Sequence, residues 1–207
     1  LAVNFGRRVR NLVGSSPYKE IFPNVELQAD SKSASRWGTN YNGEYFAIGV
    51  GGALAGRGAD LFIIDDPHSE QDAKQNRSDV FLPAWEWFQS GPIQRLMPGG
   101  AIIVVMTRWS KLDLTGQIMN QMTKNDEADP WEIVEFPAIL TDNKGVERAL
   151  WPEFWELKEL QQKRSVLDVR YWNAQYLQNP TSEEGALIKR EWWNIWEEED
   201  PPACEFT

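Results

Sequence analysis

Two apolar runs in this chain stop abruptly at polar pairs. Leu61-Phe62-Ile63-Ile64 runs into Asp65-Asp66-Pro67, and Ala101 to Met106 (AIIVVM) runs into Thr107-Arg108-Trp109. An aspartate closing an apolar strand can hold Mg2+, usually through water, while the metal bridges nucleotide phosphates. A second carboxylate beside it can orient or deprotonate an attacking water. A hydroxyl and a guanidinium ending a neighbouring strand can both donate to phosphate oxygens and so register a terminal phosphate. In open α/β sheets ligands bind beyond the carboxyl ends of the strands, which is where both polar pairs fall.

The run LFIIDD is like a Walker B strand, but the same pattern also serves N-caps and turns. The phosphate-cradling partner is missing, because no G-x-x-x-x-G-K-[ST] occurs in the sequence. Gly49 to Gly58 (GVGGALAGRG) has no lysine followed by Ser or Thr, and Gly56 and Gly58 read as a turn before a strand. Arg57 stands just ahead of the LFII strand, where it can reach a neighbouring subunit's phosphates or, as the preferred reading, pair with a carboxylate or helix face. His68 is the single histidine and adjoins Ser69. Adjacent side chains rarely face each other, so a surface or capping histidine is expected rather than a Ser-His dyad. There is no Cys/His cluster, and the single Cys204 excludes an internal disulfide.

The elements that must carry these groups are of mixed type. Glu44 to Val50 is expected as a strand, followed by tight backbone at Gly51-Gly52 and Gly56 to Gly58. LFII and AIIVVM, apolar on both faces, are expected as buried parallel strands. Between them Ser78 is expected to cap a helix striped by Val80, Phe81, Ala84, Trp85 and Phe88 and ended by Gly91-Pro92, with Pro83 an irregularity early in it. Strand, helix, strand at this length is a βαβ crossover, making the strands parallel neighbours or near neighbours. Ser110 with Asp113 suggests a capping box for a helix to about Met122. Further on, Leu157, Leu160 and Arg164 begin one helix, and Val166 to Tyr176 suggests another that Asn179-Pro180 stops. Trp151, Trp155, Trp172, Trp192, Trp193 and Trp196 lie among acids, which favours packing over base stacking.

Composition sets the outer limits. The chain has 207 residues, 42% hydrophobic and 25% charged, enough to bury a core without staples. No apolar run approaches the ~20 residues that span a bilayer. The formal charge of -10 is not that of a nonspecific nucleic-acid binder. Basic residues gather near the start, at Arg7, Arg8 and Arg10, while Glu197-Glu198-Glu199-Asp200 reads as a solvated linker. Leu1, Phe5, Val9 and Leu12 repeat at helical spacing with no N-cap before them, and Ala203 to Thr207 resembles an unfinished strand. The sequence therefore reads as an internal segment of a longer protein.

Four ordered blocks sharpen this reading. LAVNFGRRVRNLV, EYFAIGVGGALAGRGADLFIIDDP, GGAIIVVMTRWSKLDLTGQI, and ALWPEFW with YWNAQYLQNPTSEEGALIKREWW resemble, in that order, the large terminase subunit of tailed bacteriophages. The resemblance implies an α/β fold: a P-loop NTPase-type, mostly parallel sheet with flanking helices, then a helical, Trp-rich subdomain. It implies that residues 1–125 are the C-terminal part of the ATPase core, 126–196 a helical subdomain, and 197–207 a linker into an RNase-H-like nuclease. It implies ATP and Mg2+ as cofactors, with Asp65 as the Walker B metal ligand and Asp66 where such ATPases usually place a water-activating glutamate. Glu70 is the alternative base, and Thr107 with Arg108 falls at the motif coupling hydrolysis to movement. Gly185, Lys189 and Arg190 resemble the segment leading into the nuclease. Implied partners are double-stranded DNA, held mainly through other segments, the portal protein, the small terminase subunit and further copies in a ring on the procapsid, in the cytoplasm of a bacterial host. Other readings are a different P-loop translocase or helicase, or a catalytically inactive module that docks on a portal or capsid.

Overall fold

The computed structural model describes residues 2–54, 56–74, 78–125 and 127–181. The chain is of mixed helix and strand, and it divides into two compact units. The first comprises residues up to Met106 together with Leu112–Gln117; the second comprises Thr107–Lys111 and the residues from Ile118 onward.

The first unit opens with α1 (Ala2–Val13) and α2 (Ser16–Ile21), followed by an antiparallel sheet of β1 (Leu27–Lys32), β2 (Arg36–Thr39) and β3 (Glu44–Phe46), in that spatial order. The α1 periodicity holds, but the helix buries Gly6 and Val13 while Phe5 and Leu12 stay exposed. A glycine is needed at position 6, since a Cβ there would collide with the Ala34 carbonyl oxygen. The Gly6 carbonyl accepts from the buried Trp37 Nε1 at 3.1 Å, and Trp37 stacks on Tyr45 with ring centres 5.1 Å apart. The strand expected over 44–50 is shorter, ending at Phe46.

β4 (Ala59–Asp65) and β5 (Leu96–Val105) form a two-stranded parallel sheet, so the two apolar runs are direct neighbours. Between them run α3 (Glu70–Lys74), a 3-10 turn at Ser78–Val80, α4 (Leu82–Ser90) and α5 (Pro92–Arg95). Ser78 thus belongs to the 3-10 turn, and Phe81 occupies the N-cap of α4. Pro83 is no irregularity, because it lies in the first helical turn, where no backbone N–H is required. Ile64, Phe81, Ala84, Phe88 and Leu114 are buried. The expectation that both sheet faces are buried fails. Successive residues of a strand point to opposite faces; among the described residues Leu61, Ile63, Ile103 and Val105 remain exposed, Ile63 at 62%.

The first turn of α6 (Leu114–Lys124) closes this unit. Its cap is Asp113, whose Oδ1 accepts from Gly116 N at 2.8 Å, and not the expected Ser110.

In the second unit, β6 (Ile139–Thr141) and β7 (Glu147–Ala149) form a hairpin. Asp142 Oδ1 shapes its turn by accepting from Lys144 N and Val146 N. α7 (Leu157–Val166) follows, with Glu159 reaching back to the Glu156 amide. The second expected helix is split: Leu167 is extended, Asp168 caps a short α8 (Val169–Tyr171), and Trp172–Tyr176 continues as a π-helical turn. Ile139, Ala149, Leu160 and Trp172 make the core, with Trp172 stacked on Tyr176 at 4.7 Å. Packing therefore accounts for Trp172 but not for Trp151, which is 62% exposed and stacked on the exposed Phe154, nor fully for Trp155, which Lys163 covers at 4.3 Å. Gly185, Lys189, Arg190, Trp192, Trp193, Trp196 and the expected acidic linker 197–207 lie outside the described residues. No helix among the described residues is long and apolar enough to cross a membrane.

Candidate active site

The parallel pairing sets Leu61 opposite Ala101 and Asp65 opposite Val105, so the two strands end level. Asp65 is the last residue of β4 and is exposed. Asp66 adds one more rung, donating its N–H to the Val105 carbonyl at 2.9 Å, and then turns the chain through a left-handed conformation with φ of 43°. Aspartate is among the few non-glycine residues that adopt this region readily. The reversal leaves the Asp66 residue exposed while sending Pro67 and His68 inward to buried positions. Two carboxylate-bearing residues thus stand consecutively at the exposed carboxyl end of a parallel strand.

His68 is buried, and it is a capping group rather than a surface one. Its Nε2 accepts from Leu114 N at 2.8 Å, and its ring meets Phe81 edge-on at 5.0 Å. An accepting Nε2 places the imidazole proton on Nδ1. Asp113, fully buried, satisfies the next accessible helical donor at Gly116. Glu70 opens α3, exposed, with Oε1 2.7 Å from Lys74 Nζ.

Arg57 pairs through Nη1 with Glu44 Oε1 at 2.8 Å and lies over the Phe46 ring at 4.2 Å. Glu44 also receives Arg36 Nε at 2.9 Å. Pairing of Arg57 with a carboxylate or a helix face is the preferred reading of the sequence, and a carboxylate is the partner found. Beside this network a polar concavity of about 390 Å³ is lined by Gln28, Asp30, Arg36 and Glu44 among others, and by no residue of β4 or β5.

Thr107 and Arg108, two and three residues beyond β5, belong to the second unit. Thr107 is exposed. Arg108 is 8% exposed, and its guanidinium donates to the Ser110 carbonyl at 3.3 Å and contacts Met119 Sδ at 3.7 Å.

Among the described residues no group of three His, Cys, Asp or Glu side chains converges on a common point. That is compatible with Mg2+, which is usually held by one or two carboxylates plus water and substrate phosphates rather than by a protein cage. The adjacent, solvent-facing Asp65 and Asp66 suit such a mode. Sequence reasoning had no means of finding the His68 to Leu114 bond, whose partners lie 46 residues apart. The Asp113 cap could have been found, because an aspartate directly before the Leu114 turn is itself an N-cap signal.

No protein-family model matches this chain, and no curated protein is significantly similar to it.

Proposed function

We propose that this chain is the central part of a phage large terminase subunit, a P-loop ATPase whose hydrolysis of ATP drives DNA into a procapsid. The observation that carries this reading is the level ending of two adjacent parallel strands at Asp65 and Val105, with Asp66 turned left-handed just beyond. A strand-end carboxylate pair facing solvent is the arrangement such chemistry uses. The four sequence blocks narrow the ATPase class to the terminase type.

In this reading Mg2+, when bound, neutralises charge on the nucleotide phosphates, and Asp65 is its protein ligand. Asp66 orients the attacking water and accepts its proton; Glu70 is the alternative base. Thr107 with Arg108 is the coupling element, and Arg57 can act on a neighbouring subunit only by leaving Glu44. The 207 residues hold no lysine-bearing phosphate loop, so the reading requires one from elsewhere in the full-length protein, as it does an RNase-H-like endonuclease. The partners would be DNA, the portal protein, the small terminase subunit and further copies of the chain in a ring at the procapsid portal, in the host cytoplasm. The exposed Trp151 and Phe154 favour a second reading, a docking module on portal or capsid without catalysis.

The test is ATP turnover and nucleotide binding in the full-length protein. Asp66→Asn is expected to leave nucleotide binding largely intact and to cut turnover by about 100-fold or more, since a base acts on the water and not on the ground-state phosphates. Asp65→Asn is expected to raise the Mg2+ concentration needed. Full turnover in Asp66→Asn with loss in Glu70→Gln moves the base to Glu70. A full-length protein without any ATP turnover leaves the docking reading in its place.

A further inference from the structure

The amide of Leu114 is the first in α6, and such amides have no partner within their own helix. Most are satisfied by water. Leu114 is fully buried, and the group that satisfies its amide is a side chain 46 residues earlier in the chain, His68 Nε2. Asp113, equally buried, accepts from Gly116 N.

The same His68 is two residues from Asp66, and little between them can flex. Asp66 is pinned to β5 through Val105 and set in a left-handed conformation. Pro67 is buried, and proline holds its φ near one value. Phe81 backs the imidazole edge-on. Between the acidic turn and the Leu114 amide stand only this constrained proline and the His68 side chain.

We propose that His68 is a positioning residue that links the acidic turn at Asp65-Asp66 to the N-terminus of α6, so that movement of the one is passed to the other. The link itself is independent of the nucleotide reading; only the cause of the movement, binding and loss of a phosphate at the turn, rests on it. An ordinary helix cap would hold α6 together without reporting on the turn. The distinction is one of coupling, and it is measurable.

The experiment is amide hydrogen exchange on the full-length protein, with the β6–β7 amides as internal reference. His68→Leu removes the acceptor; His68→Gln keeps an acceptor at nearly the Nε2 position. Exchange at Leu114 should rise about tenfold or more in His68→Leu and no more than about threefold in His68→Gln, as expected when a buried donor loses or retains its partner. Asp66→Gly, which loosens the turn, should then accelerate exchange at Leu114 in the wild-type and His68→Gln backgrounds and have no further effect in His68→Leu. An Asp66→Gly effect that is the same in all three backgrounds, or absent from the wild type, overturns the link. ATP turnover measured on the same proteins separates the two proposals: intact coupling in a protein that does not hydrolyse ATP overturns the nucleotide reading and leaves the link standing.

Discussion

Asp66 meets two demands at one position. It must turn the chain with a positive φ, and in the proposed chemistry it must present a carboxylate to solvent. Asparagine tolerates the left-handed region as aspartate does, whereas a β-branched residue does not, at a cost of roughly 1–2 kcal/mol. Asp66→Val is therefore expected to lower unfolding free energy by about that amount in urea, and Asp66→Asn to stay within about 0.5 kcal/mol of the wild type. An activity loss in the asparagine variant would then report chemistry and not folding. Equal stability in all three proteins would mean that the turn relaxes into another conformation when the side chain changes. At the same scale, the Arg108 guanidinium donates to Ser110 and touches Met119, contacts it would have to leave to reach a phosphate in the proposed coupling. Nothing in the residue order Thr-Arg-Trp signals which way such a side chain turns.

Among the elements, α1 shows how local propensity and packing can oppose each other. Alanine is the better helix former by about 1 kcal/mol at an exposed interior position. At Gly6 the Ala34 carbonyl occupies the space a Cβ needs. Gly6→Ala is therefore expected to destabilise by about 1–3 kcal/mol, read as a lower denaturation midpoint, while Gly14→Ala, where a Cβ meets ordinary contacts at 3.6 Å, should change it little. How much of the fold was legible follows the same division. The parallel β4–β5 pair was readable because two undiluted apolar runs with a helical stripe between them admit few other arrangements, and α7 because its spacing is regular. The split at Leu167 and the π-helical turn after it were not, since they are set by how Trp172 stacks on Tyr176 around the Ile139–Leu160 core. Of the candidate site, the carboxylates were visible as strand-end residues, while the buried His68 arm behind them depends on a contact made across the fold.

For the whole molecule, charge decides the expected behaviour toward DNA. With a formal charge of -10 and basic residues that are outnumbered by acids and spread along the sequence, the isolated chain is expected not to bind duplex or single-stranded DNA measurably near physiological salt, because such affinity comes mainly from cations displacing phosphate counterions. Fluorescence anisotropy across a salt series checks this. Micromolar binding with a steep salt slope, lost in an Arg7→Ala/Arg8→Ala variant, would place a DNA track on α1. The pairing of β4 with β5 has a further consequence, for the order of events as the chain folds. The hairpins β2–β3 and β6–β7 close over short turns and can form as soon as their residues are free. Pairing Asp65 with Val105 closes a loop that holds every helix from α3 to α5, and such long loops are expected to close late and slowly. The Asp66 rung and the His68 bond lie beyond that register, so the acidic turn should be among the last parts of the molecule to assemble. Ligand binding there would be acquired after most of the secondary structure, and a refolding experiment would see the two as separate phases.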